Sequence, residues 1–258
     1  MQKSKLPPSI RSISKSPIDQ QKIINDIQQE LINNIDKKYK LSSLKFYKHK
    51  THNYGVKTPL VRKIAIKYFR EIKSLNKKQI YEICENLLKN RSNEEATISI
   101  QWAGATSKDF TEKDFKIFES WLTKYIDNWS KDDDFCLHIL NPLLKMYPNL
   151  IAHTKKWAMS KNMWLRRASA VCMISSDKSM YVSEHSLNDI FEVSIKLMGD
   201  REDLVQKGYG WLLKAASIRK QREVFDFIIE NKLKMSRTSL RYAIEKMPPE
   251  LRKKAMEK

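Results

Sequence analysis

Residues 128–136, NWSKDDDFC, contain the side chains of this sequence that are most suggestive of chemistry. Trp129 is followed four residues later by Asp133, which lies in the middle of three aspartates. If a helix begins here, the i, i+4 spacing places the indole and the carboxylate on one face. Asp133 is then either an acid that complements the dipole of the first helical turn or a group positioned for catalysis. The spacing alone leaves both interpretations open.

The charge of the whole chain makes this acidic run unusual. The 258 residues include 49 Lys and Arg against 30 Asp and Glu, which gives a formal net charge of +19. Such a charge predicts an anionic partner, and nucleic acid is the first candidate because lysines release counterions from phosphates. The alternative is that lysine merely fills solvated surfaces. A carboxylate cluster adds nothing to the affinity for a polyanion, so its presence needs another explanation.

Three of the six tryptophans have polar or basic neighbours in the sequence. Trp129 precedes the aspartates, Trp164 opens WLRR, and Trp211 stands between GYG and Lys214. Most tryptophans in helical proteins belong to the core, and that remains the alternative for each of them. Aromatic side chains interleaved with basic ones are typical of surfaces that bind phosphates and pack on sugars or bases.

The elements that must position these residues are predicted to be helices. Apolar residues recur at helical spacing, as in the stripe formed by Ile23, Ile24, Ile27, Leu31 and Ile35. Only 5 Gly and 8 Pro are present, which argues against the many tight turns of an all-β protein. We expect about twelve to fourteen short helices, stacked in pairs as an α-solenoid of HEAT-like type with a curved, concave basic face. A globular helical bundle is the alternative.

The pattern predicts a flexible basic N-terminal arm over residues 1–18 and a single HEAT-like-repeat domain over residues 19–258. No stretch reaches the roughly 18 uncharged apolar residues of a membrane span, so no membrane partner is expected. The three cysteines are widely spaced in apolar contexts, which indicates reduced thiols and a cytoplasmic protein. We expect a monomer, which would associate with the nucleoid if the anionic partner is DNA.

Other kinds of site find little support in the sequence. Cys136 and His138 are two residues apart and would face different sides of a helix, so a Cys–His nucleophile is not expected. The five histidines show no ligand-like spacing with the cysteines. Five glycines form neither a P-loop nor a dinucleotide-binding pattern.

Five sequence blocks in order resemble the DNA alkylation repair family, the AlkD-type HEAT-like-repeat glycosylases. The blocks are YGVKTP (Tyr54–Pro59), NWSKDDDFC (Asn128–Cys136), MWLRRA (Met163–Ala168), VQKGYGWLLK (Val205–Lys214) and MSRTSLRYAIEK (Met235–Lys246). Each block alone is weak, but their order on a basic, helical chain is fairly specific.

The resemblance implies a set of functional residues. The catalytic residues would be Trp129, Asp133, Arg167 and Trp211, with Arg167 holding a flanking phosphate. The DNA-binding residues would be Lys57, Arg166, Lys207 and Lys214. For Lys57, an ordinary solvated lysine is an equal alternative.

The resemblance also implies a reaction. Family members excise cationic N3- and N7-alkylated purines from duplex DNA without flipping the base, and they require no metal or cofactor. A carboxylate near C1′ stabilises the oxocarbenium-like sugar left by the departing base. Indole faces favour a cationic nucleotide through cation–π contact.

One departure from the family concerns the neighbours of Asp133. Asp132 and Asp134 stand where uncharged residues are common, and as first-turn acids they are expected to point away from Asp133 into solvent. If they were close, they would raise the pKa of Asp133 and weaken the approach of DNA. Two alternatives to the glycosylase therefore stay open: a HEAT-repeat protein that binds DNA structures or RNA without catalysis, and a protein-interaction scaffold.

Overall fold

The structure, a computed structural model, describes residues 19–48, 51–175 and 186–257, and the arm predicted for residues 1–18 lies outside them. The regular elements in these ranges are helices, without β-strands, so the predicted all-α class is confirmed. The α-helices are α1 (Gln20–Asn33), α2 (Lys37–Leu44), α3 (Thr58–Ile72), α4 (Lys77–Lys89), α5 (Asn93–Ala105), α6 (Asp114–Tyr125), α7 (Trp129–Phe135), α8 (Asn141–Met146), α9 (Ile151–Trp157), α10 (Met163–Val171), α11 (Leu187–Leu197), α12 (Asp203–Ser217), α13 (Gln221–Asn231), α14 (Arg237–Ile244) and α15 (Pro249–Met256). Within the described ranges, no helix has the length and apolar character needed to cross a membrane.

Short polar residues set the start of several helices. The side chain of Ser236 accepts a hydrogen bond from the backbone N–H of Ser239 and so caps α14. Asn76 and Gln79 form a reciprocal capping box at α4. Pro249 is the first residue of α15, where its missing N–H costs nothing. These starts depend on residues adjacent in sequence, which is why sequence patterns locate them.

The predicted apolar stripe of α1 is correct for four of its five members. Ile23, Ile24, Ile27 and Leu31 are buried. Ile35 is 38% exposed because α1 ends at Asn33 and Asp36 already caps the next helix. The apolar periodicity of the sequence therefore extends two residues beyond the C-terminal end of α1.

Packing between helices forms a contiguous apolar cluster that extends from Ile23 to Ala255. The most extensive contacts join α12 to α14, α4 to α5, α10 to α12 and α3 to α5. Trp102, Trp121 and Trp157 are buried in this cluster, whereas Trp129, Trp164 and Trp211 are only partly buried. The tryptophans with polar or basic sequence neighbours are thus the ones that retain some exposure.

A π-helical turn lies inside the helix that begins at Trp129. Residues Cys136–Leu140 form this turn and join α7 to α8 without a break. On the facing helix α5, a Cβ atom at Gly104 would lie 2.9 Å from the carbonyl oxygen of His138. Glycine at this position therefore permits α5 to approach the turn closely. Single π-helical turns are frequent at functional sites.

The first turn of α5 holds the segment that precedes α3. The buried Glu94 carboxylate accepts backbone N–H bonds from Tyr54 (3.1 Å), Gly55 (2.8 Å) and Val56 (3.1 Å). Beside it, Glu95 accepts the Tyr54 hydroxyl at 2.6 Å. Because one carboxylate satisfies three successive N–H groups, the path of this segment is fixed relative to α5.

Replacement of Glu94 by Ala should destabilise the fold strongly, because three N–H groups lose their acceptor in a buried place. We expect the free energy of unfolding to fall by about 3 kcal/mol or more. Urea unfolding followed by circular dichroism measures it. Glu82→Ala, at an exposed position on α4, is the control and should change the free energy little. Equal losses in the two variants would contradict the assigned role of Glu94.

Candidate active site

The start of α7 orients Trp129 and Asp133 toward one cleft. The side-chain oxygen of Asn128 accepts hydrogen bonds from the backbone N–H groups of Ser130 (3.1 Å) and Lys131 (3.2 Å) and fixes the first turn. Trp129 and Asp133 both line a cleft of about 560 Å³ whose other walls come from α2, α3 and α5. The predicted placement of the indole and the carboxylate on one face is therefore present.

A buried guanidinium holds the Asp133 carboxylate. Arg167 Nε donates to Asp133 Oδ1 at 2.9 Å, and Nη2 donates to Oδ2 at 3.0 Å. The third nitrogen, Nη1, donates to the backbone carbonyl of Leu204. Arg167 is only 5% exposed. One side chain on α10 thus joins the helix of Asp133 to the first turn of α12.

The helices α10 and α12 meet at a glycine. A Cβ atom at Gly208 would lie 3.4 Å from Cγ and 3.5 Å from Nη1 of Arg167, which is ordinary van der Waals contact, so Arg167 packs directly over this position. Trp211 lies three residues beyond Gly208, on the same side of α12. It packs against the core and is not among the described residues that line the cleft. Arg167 therefore links the helices of Trp129 and Trp211, while only Trp129 shares the cleft with Asp133.

The expectation that Asp132 points into solvent is wrong. Asp132 is 0% exposed, and its Oδ2 lies 3.6 Å from Arg167 Nε. The reason is that the short helix α7 packs against both α5 and α10. Burial raises the pKa of Asp132 well above its ordinary value, and the positive charge of Arg167 opposes the shift only in part. Asp134 does retain some exposure and pairs with His138 at 3.0 Å.

The pKa of Asp133 is raised as well, in the direction expected from crowded acids. Burial is the main cause, and the Arg167 charge and hydrogen bonds oppose it. The charge of Asp134 adds a smaller increase. Asp133 is therefore a stronger base than an exposed aspartate, and its partner Arg167 is what favours its ionised form.

A short segment after α2 covers one face of Trp129. The indole N–H donates to the carbonyl of Phe46 at 3.2 Å, and the Tyr47 ring stacks on the indole with centroids 5.9 Å apart. Lys48 extends the contact to Asp203, at the start of α12, with 2.7 Å between Nζ and Oδ1. We call residues 46–48 the clasp. The sequence gives no signal for it, because its partners are distant along the chain.

Each of the four predicted DNA-binding cations has a carboxylate partner within the protein. The pairs are Lys57 with Asp36, Lys207 with Asp203, Lys214 with Glu245, and Arg166 with Asp200. The Lys57 side chain is 63% exposed, and such surface pairs contribute little to stability, so a phosphate can replace the carboxylate. Arg166 also donates to the carbonyls of Ser160 and Lys161, which makes it part of the local architecture.

The cysteines lie away from any reactive arrangement. Cys84, Cys136 and Cys172 are buried thiols, and burial raises the pKa of Cys84 and of Cys172 to about 12. Such thiols are poor nucleophiles. Among the described residues, no three or more His, Cys, Asp or Glu side chains cluster in a way suited to a metal ion.

Comparison with known families decides the family of this chain. A sequence profile described as DNA alkylation repair enzyme matches residues 27–247, the range that contains Trp129, Asp133, Arg167 and Trp211. The chain belongs to the DNA alkylation repair enzyme family. The resemblance found in the five sequence blocks is thereby confirmed.

A solved structure agrees with membership of the DNA alkylation repair enzyme family. It is described as a predicted DNA alkylation repair enzyme from Enterococcus faecalis, and it is similar over 84% of this chain and 98% of its own, with a TM-score of 0.73. The sequence identity is 14%, so this similarity establishes a shared fold and nothing further. No match is found among curated proteins.

In this member of the DNA alkylation repair enzyme family, replacement of Arg167 by Ala should destabilise the protein by about 3–5 kcal/mol, because the Asp133 carboxylate and the Leu204 carbonyl lose their donor. Urea unfolding measures the loss. Arg222→Ala, at a side chain that is 89% exposed, is the control and should stay near wild type. A loss below about 1 kcal/mol for Arg167→Ala would contradict the burial and pairing described above.

Proposed function

We propose that this protein is a DNA glycosylase that hydrolyses the N-glycosidic bond of cationic N3- or N7-alkylated purines in duplex DNA, without flipping the base. The observation that carries the proposal is the Asp133 carboxylate, which Arg167 clamps at the edge of the cleft lined by Trp129. Membership of the DNA alkylation repair enzyme family supports DNA as the partner.

The proposed reaction requires one correctly positioned carboxylate from the protein. When the C1′–N bond of an alkylated purine breaks, its electron pair stays on the base and cancels the positive charge of the ring. The sugar is left as an oxocarbenium-like cation, and water adds to C1′ with loss of a proton. A fixed anion stabilises this cation because little reorganisation is needed in the transition state. Asp133 supplies the anion, and it also accepts the proton from water.

The aromatic side of the cleft suits a cationic nucleotide. An electron-rich ring face attracts a positive charge within about 6 Å, and the attraction grows when water is excluded. The Trp129 ring is fixed by Tyr47 and by its hydrogen bond to Phe46, so it presents a constant surface. Trp211, on α12, does not line this cleft and is proposed to play the same role from the neighbouring helix.

The architecture proposed for DNA binding is an α-solenoid of HEAT-like helix pairs over residues 19–258, with a concave, basic face. The extensive contacts between alternate helices, such as α10 with α12 and α12 with α14, support stacked pairs. The net charge of +19 supports binding to the phosphate backbone. We propose that the protein acts as a cytoplasmic monomer on chromosomal DNA and uses no cofactor.

Contacts with phosphates are assigned to the exposed lysines more than to Arg167. Lys57 and Lys207 form surface pairs that a phosphate can displace. Lys214 and Arg166 are less exposed and would have to leave Glu245 and Asp200. Arg167 already donates to Asp133 and Leu204, so its proposed role is to fix the carboxylate.

Replacement of Asp133 by Asn should abolish base release with little effect on DNA binding. We expect the rate of 7-methylguanine release from methylated duplex DNA to fall about a hundredfold or more, because the fixed anion is lost. Asp134→Asn, which neutralises the adjacent acid, is the matched control and should retain most of the activity. Release from wild type that equals the rate in buffer would overturn the proposal.

A second candidate function is recognition of DNA structure without base excision. Burial, which raises the pKa of Asp133, weakens its anionic character and favours this alternative. It predicts binding that falls steeply with salt, survives Asp133→Asn unchanged, and is accompanied by no base release. Fluorescence anisotropy with a labelled duplex at 50 and 200 mM salt, read beside the release assay, separates the two functions.

A further inference from the structure

Asp132 and Asp133 approach the same guanidinium from one helix. Asp133 occupies Nε and Nη2 of Arg167 with two hydrogen bonds. Asp132 lies behind it, with Oδ2 3.6 Å from Nε, too far for a hydrogen bond but close enough for a strong electrostatic interaction. The remaining nitrogen, Nη1, is engaged by the neutral carbonyl of Leu204. Two carboxylates therefore share one positive charge.

The surroundings of Asp132 do not suit an anion. The side chain is 0% exposed, and its Oδ1 has no hydrogen-bond partner in the protein. Its Oδ2 has the thiol of Cys136 at 4.0 Å, which is a weak donor. A buried carboxylate without donors is costly, whereas a neutral carboxylic acid in the same place costs far less. The surroundings of Asp132 therefore favour the neutral carboxylic acid over the carboxylate.

We propose that Asp132 is a positioning residue for the candidate site: as a neutral carboxylic acid beneath Arg167, it supports the guanidinium from the buried side and leaves its positive charge to Asp133 alone. An ionised Asp132 would divide that charge between two carboxylates. The site would then carry a net negative charge where DNA phosphates must approach. The effect of Asp132 on base release depends on the glycosylase function proposed above. The protonation state of Asp132 does not depend on it.

The charged groups that act on Asp132 come from two helices. Arg167 on α10 favours its ionised form, and Asp133 on α7 opposes it, while burial outweighs both and raises its pKa. Two thiols, Cys136 and Cys172, also lie within electrostatic range. Because like charges this close do not ionise together readily, the first proton is lost from the hydrogen-bonded Asp133 and the second from Asp132.

Infrared spectroscopy tests the protonation state directly. Wild-type protein at neutral pH should show the C=O stretch of a protonated carboxyl group, and Asp132→Asn should lack it. Asp134→Asn is the matched control and should retain it. Asn has the shape of a neutral Asp, so the variant is expected to fold. Absence of the band from wild type, or its survival in Asp132→Asn, would overturn the proposal.

The pH dependence of stability gives a second test. The raised pKa of Asp132 in the folded state means that its contribution is fully present below the unfolded-state pKa and is lost as pH rises toward the folded-state pKa. Asp132→Asn removes this loss. The ratio of the folding equilibrium constant of Asp132→Asn to that of wild type should therefore rise about tenfold per pH unit above about pH 4. A ratio that falls with pH would mean that Asp132 is an anion stabilised by Arg167.

The base-release assay distinguishes a failure of the Asp132 proposal from a failure of the proposed glycosylase function. If Asp132 positions Arg167 as a neutral group, Asp132→Asn should release 7-methylguanine within about threefold of wild type near neutral pH. A decline of the wild-type rate at high pH, where Asp132 ionises, should be absent from this variant. A loss as large as that of Asp133→Asn would overturn the positioning role. If wild type releases no base, the glycosylase proposal fails, and the infrared and stability results still decide the state of Asp132.

Discussion

The candidate site depends on one buried ion pair, between Arg167 and Asp133. The guanidinium is held on α10, its carboxylate partner on α7, and its carbonyl partner on α12, so it fixes the relative positions of three helices. Burial of a guanidinium and a carboxylate is unfavourable unless nearly all of their donors and acceptors form hydrogen bonds. The bidentate geometry of this pair forms these bonds.

The site combines a cleft that carries an indole and a carboxylate with a strongly basic chain. Long-range attraction from a net charge of +19 favours any polyanion, whereas Trp129 and Asp133 would attract a positive charge at short range. These two preferences do not compete, because they act over different distances. In DNA the phosphates are anionic everywhere, but a positively charged base occurs only where the chemistry of the base has been altered.

The sequence predicts features that depend on neighbouring residues. It does not predict contacts between residues that are far apart along the chain. Helix caps such as Ser236 and the apolar face of α1 follow from local spacing, and the pairing of Trp129 with Asp133 follows from the helical repeat. The burial of Asp132 could not be predicted, because it depends on how α5 and α10 enclose a seven-residue helix. The contact of Tyr47 with Trp129 likewise joins residues 82 positions apart, and nothing in either local sequence specifies it.

The clasp has a consequence for the order in which the protein assembles. It connects Lys48 to Asp203, so this ion pair can form only after 155 further residues have been made. At about 5–20 residues per second, the ribosome needs roughly 8–30 s for that length of chain. The contacts of the clasp and of Arg167 with α12 are therefore late products of synthesis. A nascent chain that stops before α12 contains Trp129, Asp133 and Arg167 but lacks the carbonyl of Leu204 that Arg167 contacts.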